Sequence, residues 1–292
     1  MSGGAELIEV NSIGVSTVES VPLFHYKPGG LVGRLVAYPS RWIESECDLP
    51  FEVCEWLSSP RSYPGFLVRL SAVKAFFERW RVDAVVLDGV ETWRFTGSLR
   101  MGMPLVARSQ LLLDSRSLVG LDALIIDLVG SRSRVDRLSM LVERAKSEGL
   151  WVEVNMYLQW ADAREVDEVL SALRGSKVPL HIHIADPQGG GPVRKLYIRA
   201  SSAYWPVYVH AGVFSEVDTK CPRCGTYVAS RYRSFLTSLA LKEGGRCPSC
   251  GEPLPFIGPY RRKTDELVVR TMGSGAVFMD PRLFGGISAR RG

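Results

Sequence analysis

LDALIIDLVG, residues 121–130, is an apolar run too short for a buried helix and closed by Gly130, so it reads as a strand covered on both faces. SRVDRLSMLVERAKSEG (133–149) follows with helical apolar spacing, Lys146 in its last turn and Gly149 as its stop. WVEVNMYL (151–158) is a second strand. DAREVDEVLSALRG (162–175) is a helix capped by Asp162 and ended by Gly175, and VPLHIHIA (178–185) is a third strand. Strands alternating with helices in this order are the signature of parallel βαβ units.

The pattern extends in both directions. Upstream lie LVGRLVAYP (31–39), the helix VRLSAVKAFFERW (68–80), VDAVVL (82–87) and MPLVA (103–107); downstream lies PVYVHAGV (206–213). Continuous apolar strands imply a sheet buried on both faces. A full or partial TIM-like (βα) barrel is the expected architecture, with an open doubly wound sheet as the alternative. No Gly-x-Gly-x-x-Gly follows the first strand, so nothing supports a dinucleotide site. A hairpin turning at Gly273 to Gly275 is expected within ELVVRTMGSGAVFMD (266–280), and pairing with another subunit is one role for it.

Beyond the last strand come CPRCG (221–225) and CPSCG (247–251). Two Cys-x-x-Cys-Gly turns at this separation predict a zinc ribbon, because Zn²⁺ in a structural site takes four tetrahedral thiolates. Cys221, Cys224, Cys247 and Cys250 are the expected ligands. With all four positions filled by sulfur there is no place for water, so this metal is expected to hold structure rather than catalyse. Disulfides and an iron–sulfur centre on the same four residues are the other readings.

The chain has 292 residues, 46% hydrophobic and 23% charged, enough to bury a full core. Its net charge of +5 is scattered, except for a C-terminal excess at Arg261, Arg262, Lys263, Arg270, Arg282, Arg290 and Arg291. A solvated tail accounts for that excess as simply as a binding arm. MSGGAELIEV lacks the charged and apolar regions of a secretory signal, and no apolar run is long enough to span a bilayer. A cytoplasmic protein without a membrane partner is therefore expected, with cysteines as thiols or metal ligands.

VPLFHYKPGG (21–30) followed by a strand resembles the entry to the radical SAM proteins of the AmmeMemoRadiSam system, which are grouped with the pyruvate formate-lyase activating enzymes. LDALIIDLVG resembles that family's Asp-Leu-Lys strand, VPLHIHIADPQ its Pro-Leu-His strand, and TKCPRCG with GRCPSCGEPLP its C-terminal ribbon. The resemblance spans residues 21–258. It implies a partial (βα) barrel over 21–215, a ribbon over 216–258, an N-terminal extension over 1–20 and a basic extension over 259–292.

The family binds a [4Fe–4S] cluster and S-adenosylmethionine through three cysteines spaced C-x3-C-x2-C. Here the matching positions are Ser40, Glu44 and Cys47, or with a short insertion Cys47, Phe51 and Cys54. Neither register supplies three thiolates, and Phe cannot ligate iron. Glu91 stands where the family's acidic residue faces the S-adenosylmethionine amine, and Asp127 is kept where Val129 replaces the lysine.

The residues have plainer roles as well: Cys47 and Cys54 as buried thiols or a disulfide, Glu91 as a turn cap, Asp127 in a polar core network. His181 and His183 share a strand face by period two with no third ligand in view, and His25 and His210 read as structural. The resemblance thus implies a pseudoenzyme that has lost its cluster and binds a protein or small-molecule partner at the barrel mouth. A working radical SAM enzyme with a non-cysteine cluster ligand is the alternative. A nucleic-acid module using the ribbon and basic tail is a third reading, weakened because the segment between the knuckles, which carries Arg231, Arg233 and Tyr232, has too few basic residues for a nucleic-acid surface.

Overall fold

The computed structural model describes residues 6–36, 65–88, 102–109, 118–128, 135–258 and 275–288. Its strands in chain order are β1 (Leu7–Val10), β2 (Ser12–Thr17), β3 (Leu31–Val36), β4 (Phe66–Arg69), β5 (Ala84–Asp88), β6 (Leu105–Ser109), β7 (Ala123–Leu128) and β8 (Trp151–Leu158). There follow β9 (Leu180–Ile184), β10 (Val207–His210), β11 (Thr219–Lys220), β12 (Tyr227–Tyr232), β13 (Phe235–Leu239), β14 (Ala276–Met279) and β15 (Ile287–Ser288). The α-helices are α1 (Leu70–Trp80), α2 (Val135–Ser147), α3 (Ala163–Ala172) and α4 (Gly190–Ala203).

The protein is mixed α/β. One nine-stranded sheet runs β10-β9-β8-β7-β6-β5-β3-β2-β14. From β3 to β10 neighbouring strands are parallel, and β2 and β14 add an antiparallel pair at one end. No helix among the described residues is long and apolar enough to cross a membrane.

Period-two alternation divides the sheet into two faces. Leu35, Leu87, Leu105, Leu124, Ile126, Val154 and Ile182 point to one face and pack into a core with α1 to α4. Each helix meets that face with residues at i, i+3, i+4 or i+7: Val73 and Phe77, Leu138 and Val142, Val166 and Val169, Val193 and Ala200. Asp162 caps α3 as expected, accepting from the amides of Arg164 and Glu165. α4 has no counterpart in the sequence reading.

Gly33 on β3 lets α1 approach closely. A Cβ there would meet the Phe77 ring at 2.6 Å. Gly33→Ala is therefore expected to cost about 1–3 kcal/mol through overpacking, measured as a lower urea midpoint; an unchanged midpoint would refute this packing.

Residues 18–30 cross the other face. Val18, Val21, Leu23 and Tyr26 cover Val32, Ala84, Val86, Val106, Ala123 and Ile125 near the strand starts. The segment is pinned by the Glu153 carboxylate on β8, which accepts from the amides of Phe24 (2.8 Å) and His25 (2.9 Å).

The segments read as terminal extensions contribute strands. β2 pairs with β3, and β14 pairs with β2 of the same chain, while β1 and β15 flank β4. AVFM (276–279) is thus a strand, and it pairs with β2 within this chain. Residues 259–274, the first arm of the expected hairpin, lie outside the described residues.

β11, β12 and β13 form a small antiparallel sheet. It leaves β10 through paired backbone bonds between Val209 and Glu216. At its far end Ser234 O accepts from Thr17 Oγ1 on β2, and Thr17 N donates to Gly275 O beside β14. The two ends of the nine-stranded sheet are thereby linked through the small one.

Candidate functional site

Along the inner face, side chains change from apolar at the strand starts to polar at the carboxyl ends. Arg34 Nε donates to Asp88 Oδ2 at 2.6 Å. Arg108 forms a fork on Asp127, Nε to Oδ2 at 2.6 Å and Nη2 to Oδ1 at 3.1 Å, and its Nη1 lies 3.8 Å from Asp88. Arg108 also donates to the Tyr157 hydroxyl at 2.6 Å, and Asn155 Nδ2 donates to Asp127 Oδ1 at 3.0 Å. Burial alone would lower the Arg108 pKa, but Asp127, Tyr157 and Asp88 outweigh it and hold the guanidinium charged. Asp127 thus sits in a saturated network, the plainer of its two sequence readings.

Beside this network lies a row of histidines. His183 and His210 occupy matched positions on β9 and β10 and stack at 4.3 Å. His183 Nε2 lies 3.2 Å from Asn155 Oδ1. His181 Nδ1 lies 3.1 Å from His210 Nε2, and His181 Nε2 lies 2.8 Å from Glu153 Oε2. Burial, with the charge of Arg231 or of neighbouring histidines, holds His181, His183 and His210 neutral, well below the usual histidine range. His25 is pulled down to about 3, chiefly by burial. Its Nδ1 faces Pro255 O at 3.1 Å and its ring stacks on Phe256 at 4.2 Å, so it joins the inner segment to the region of the paired cysteines.

A cavity of about 890 Å³ opens above these residues, within the usual size of small-molecule sites. Glu19, Arg108, Tyr157, His183, His210 and Arg231 are in its wall. Arg231 on β12 is buried rather than presented to solvent, which removes it from any exposed basic surface. Its guanidinium lies 4.0 Å from the centre of the Phe24 ring, and it donates to Phe24 O, Val217 O and Thr219 Oγ1 at 2.9–3.0 Å. Arg231 Nε and Glu19 Oε2 are buried with no hydrogen-bond partner among the described residues. Glu19 Oε1 accepts from Gly29 N at 2.8 Å. Burial pushes the Glu19 carboxyl up to about 7, against the pull of Arg231 and the Gly29 amide.

The four cysteines come together as their spacing predicts. Cys221, Cys224, Cys247 and Cys250 place their sulfurs within 4.8 Å of one another. Cys221 and Cys250, and likewise Cys224 and Cys247, are 3.6 Å apart. A tetrahedron of sulfurs about 2.3 Å from a central ion has edges of about 3.8 Å, so the group has the number and spacing to hold one metal ion. Gly225 and Gly251 follow each pair with φ of 74°, the left-handed conformation that glycine adopts without strain, and their amides donate to Cys221 O and Cys247 O. The Thr226 hydroxyl and amide hold the Cys224 thiol down at about 6.

Cys47, Cys54 and Glu91 lie outside the described residues, as does Val129. Sequence reasoning missed Arg34, Asp88, Arg108, Glu153, Tyr157 and Glu19, and took His210 as structural although it faces the cavity. One signal was available: Asp88, Arg108, Asp127, Tyr157, His183 and His210 are polar residues at or near the ends of otherwise apolar strands.

Fold and site together define a mixed α/β protein whose parallel strands carry a polar, cavity-lined site at their carboxyl ends, with a four-cysteine group in the C-terminal region. No family model matches the chain, and no curated protein matches it. Among solved structures, the tetrameric deoxyribose phosphate aldolase from Aeropyrum pernix is similar at 18% identity, over 48% of this chain and 69% of that one, with a TM-score of 0.33.

Proposed function

We propose that this protein binds a small anionic molecule at the strand carboxyl ends, on a partial barrel of radical SAM type that has lost its [4Fe–4S] cluster, with a structural zinc ribbon on Cys221, Cys224, Cys247 and Cys250. The observation that carries the binding reading is the cavity at the strand carboxyl ends, whose wall includes the cationic side chains of Arg108, Arg231 and Arg233. The sign of the ligand follows from the wall: the histidines are neutral, Asp127 offsets Arg108, and Arg231 and Arg233 together outweigh Glu19, whose carboxyl burial pushes up to about 7.

Four thiolates and their spacing suit zinc, and a filled tetrahedron makes it structural. The pseudoenzyme reading rests on the resemblance and on the missing third cysteine. A protein rather than a small-molecule partner remains the weaker form of it, because the polar atoms line a cavity rather than an exposed surface. A role in binding nucleic acid loses support with Arg231 turned inward.

Two measurements test the reading. Protein purified without oxygen is expected to hold one zinc and no iron per chain. Inorganic phosphate, at ionic strength matched with chloride, is expected to raise Tm, and Arg233→Gln or Arg231→Gln to shrink that rise. Absence of a phosphate-specific rise removes the anion reading. Four irons, with 5′-deoxyadenosine formed from S-adenosylmethionine on reduction, would replace the pseudoenzyme with a working radical enzyme.

A further inference from the structure

The cavity wall contains more than a charge balance. We propose that Glu153, His181 and His210 form a proton relay that makes His210 Nδ1 a general base, so that the cavity abstracts a proton from its small anionic substrate. This rests on the preceding reading only for the charge of that substrate.

The direction of the relay follows from donors that have no choice. Glu153 accepts at both oxygens from the Phe24 amide, the His25 amide and the Trp151 indole N–H, at 2.8–2.9 Å. All three can only donate. A carboxylate so surrounded takes its fourth contact, His181 Nε2, as a donor too. His181 Nδ1 is then a lone pair, so His210 Nε2 must donate to it across 3.1 Å. That leaves His210 Nδ1 as a lone pair. Among the described residues it has no hydrogen bond, and its ring is in the cavity wall.

The step balances. A substrate C–H or O–H proton passes to His210 Nδ1, the His210 Nε2 proton moves to His181 Nδ1, and the His181 Nε2 proton moves to Glu153 Oε2. The bonding electrons stay on the substrate carbon or oxygen. All three relay groups end neutral, and the negative charge leaves a fully buried carboxylate for a cavity that holds Arg108 and Arg231. Burial raises the Glu153 pKa, which favours this direction. His210 is the catalytic residue; His181 and Glu153 are positioning residues.

His183 is an internal control. Asn155 Nδ2 donates to Asp127, so Asn155 Oδ1 faces His183 and fixes its proton on Nε2. His183 Nδ1 is then also an acceptor, but Asn155 cannot take up a proton, so that row ends there.

The first test is the tautomer of each histidine in the ¹⁵N-labelled full-length protein, with His210→Gln and His183→Gln for assignment. The expected spectrum has His181 and His210 neutral and protonated on Nε2. A His210 proton on Nδ1 overturns the proposal, because the cavity would then meet a donor. The second test uses p-nitrophenyl acetate. Attack by His210 Nδ1 forms an N–acetyl bond, expels p-nitrophenolate and sends the ring's Nε2 proton towards Glu153. A stoichiometric burst is expected, at least about a hundredfold weaker in His210→Gln and about tenfold slower in His181→Gln. A burst that persists in His210→Gln overturns the relay. If His181→Gln does not fold, the tautomer spectrum and the His210 variant still decide. A burst that phosphate does not slow removes the anion reading and leaves the relay standing.

Discussion

Replacing Cys247 by serine is expected to abolish stoichiometric metal binding and to unfold the small sheet. Cys247 is fully buried and Cys221 nearly so, among Val228, Ala229, Leu236, Leu254 and Phe256. That cluster is too small to fold without a cross-link. Structural zinc supplies apparent folding free energies of about 10–16 kcal/mol in comparable modules, and serine is a poor ligand for it. The loss should appear as absent zinc, as protease cleavage confined to residues 217–258, and as loss of the phosphate-dependent rise in Tm. A serine variant that keeps its zinc and resists cleavage would show that the four thiols are not the centre of this unit.

Acid should destabilise the protein steeply at a pH where most proteins are unaffected. Of the chain's four histidines His25 and His181 are buried and His183 and His210 half-buried, and all hold pKa values below the ordinary 6.5, His25 at about 3 and the others well below 6.5. Below about pH 6.5 the unfolded chain therefore takes up as many as four protons that the native state refuses. Glu19, pushed up to about 7 by burial, acts in the opposite sense and offsets one of these protons. Stability should then fall as the pH drops below about 6.5, because the histidines outnumber Glu19. Urea midpoints at successive pH values read this directly. Zinc release must be followed in parallel, because protonating thiolates also ejects metal. A midpoint that stays constant or rises on acidification would mean that the histidines are not held neutral.

The parallel core was legible because both periodicities were strong there: Leu121 to Ile184 yields three strands and two helices where the sequence places them. α4 was not, because Gly190, Gly191 and Pro192 open it and read as a loop. Yet Pro is tolerated in a first turn, and Val193, Leu196 and Ala200 supply the buried stripe. β14 was partly legible, but its partner was not. Ala276 pairs with Ser16, and nothing local in either segment specifies a partner so distant in sequence.

The site divides in the same way. Cys221 to Cys250 announce themselves because ligand spacing is a local property. Arg108 and Glu153 do not, because each acquires its meaning from side chains on other strands: Asp127 for the first, His181 and the Phe24 amide for the second. A polar core network was one of the roles open to Asp127, and its members became visible only once Arg108 and Asn155 were seen beside it.

The seam closed by Ser234 and Arg231 has a consequence for regulation. The cavity draws part of its wall from the nine-stranded sheet and part from the four-cysteine unit. If an ion held by the cysteines shapes that wall, ion and occupant each change the affinity for the other by the same factor, since equilibrium coupling is reciprocal. Scarcity of the ion would then change occupancy of a cavity that contains none of its ligands.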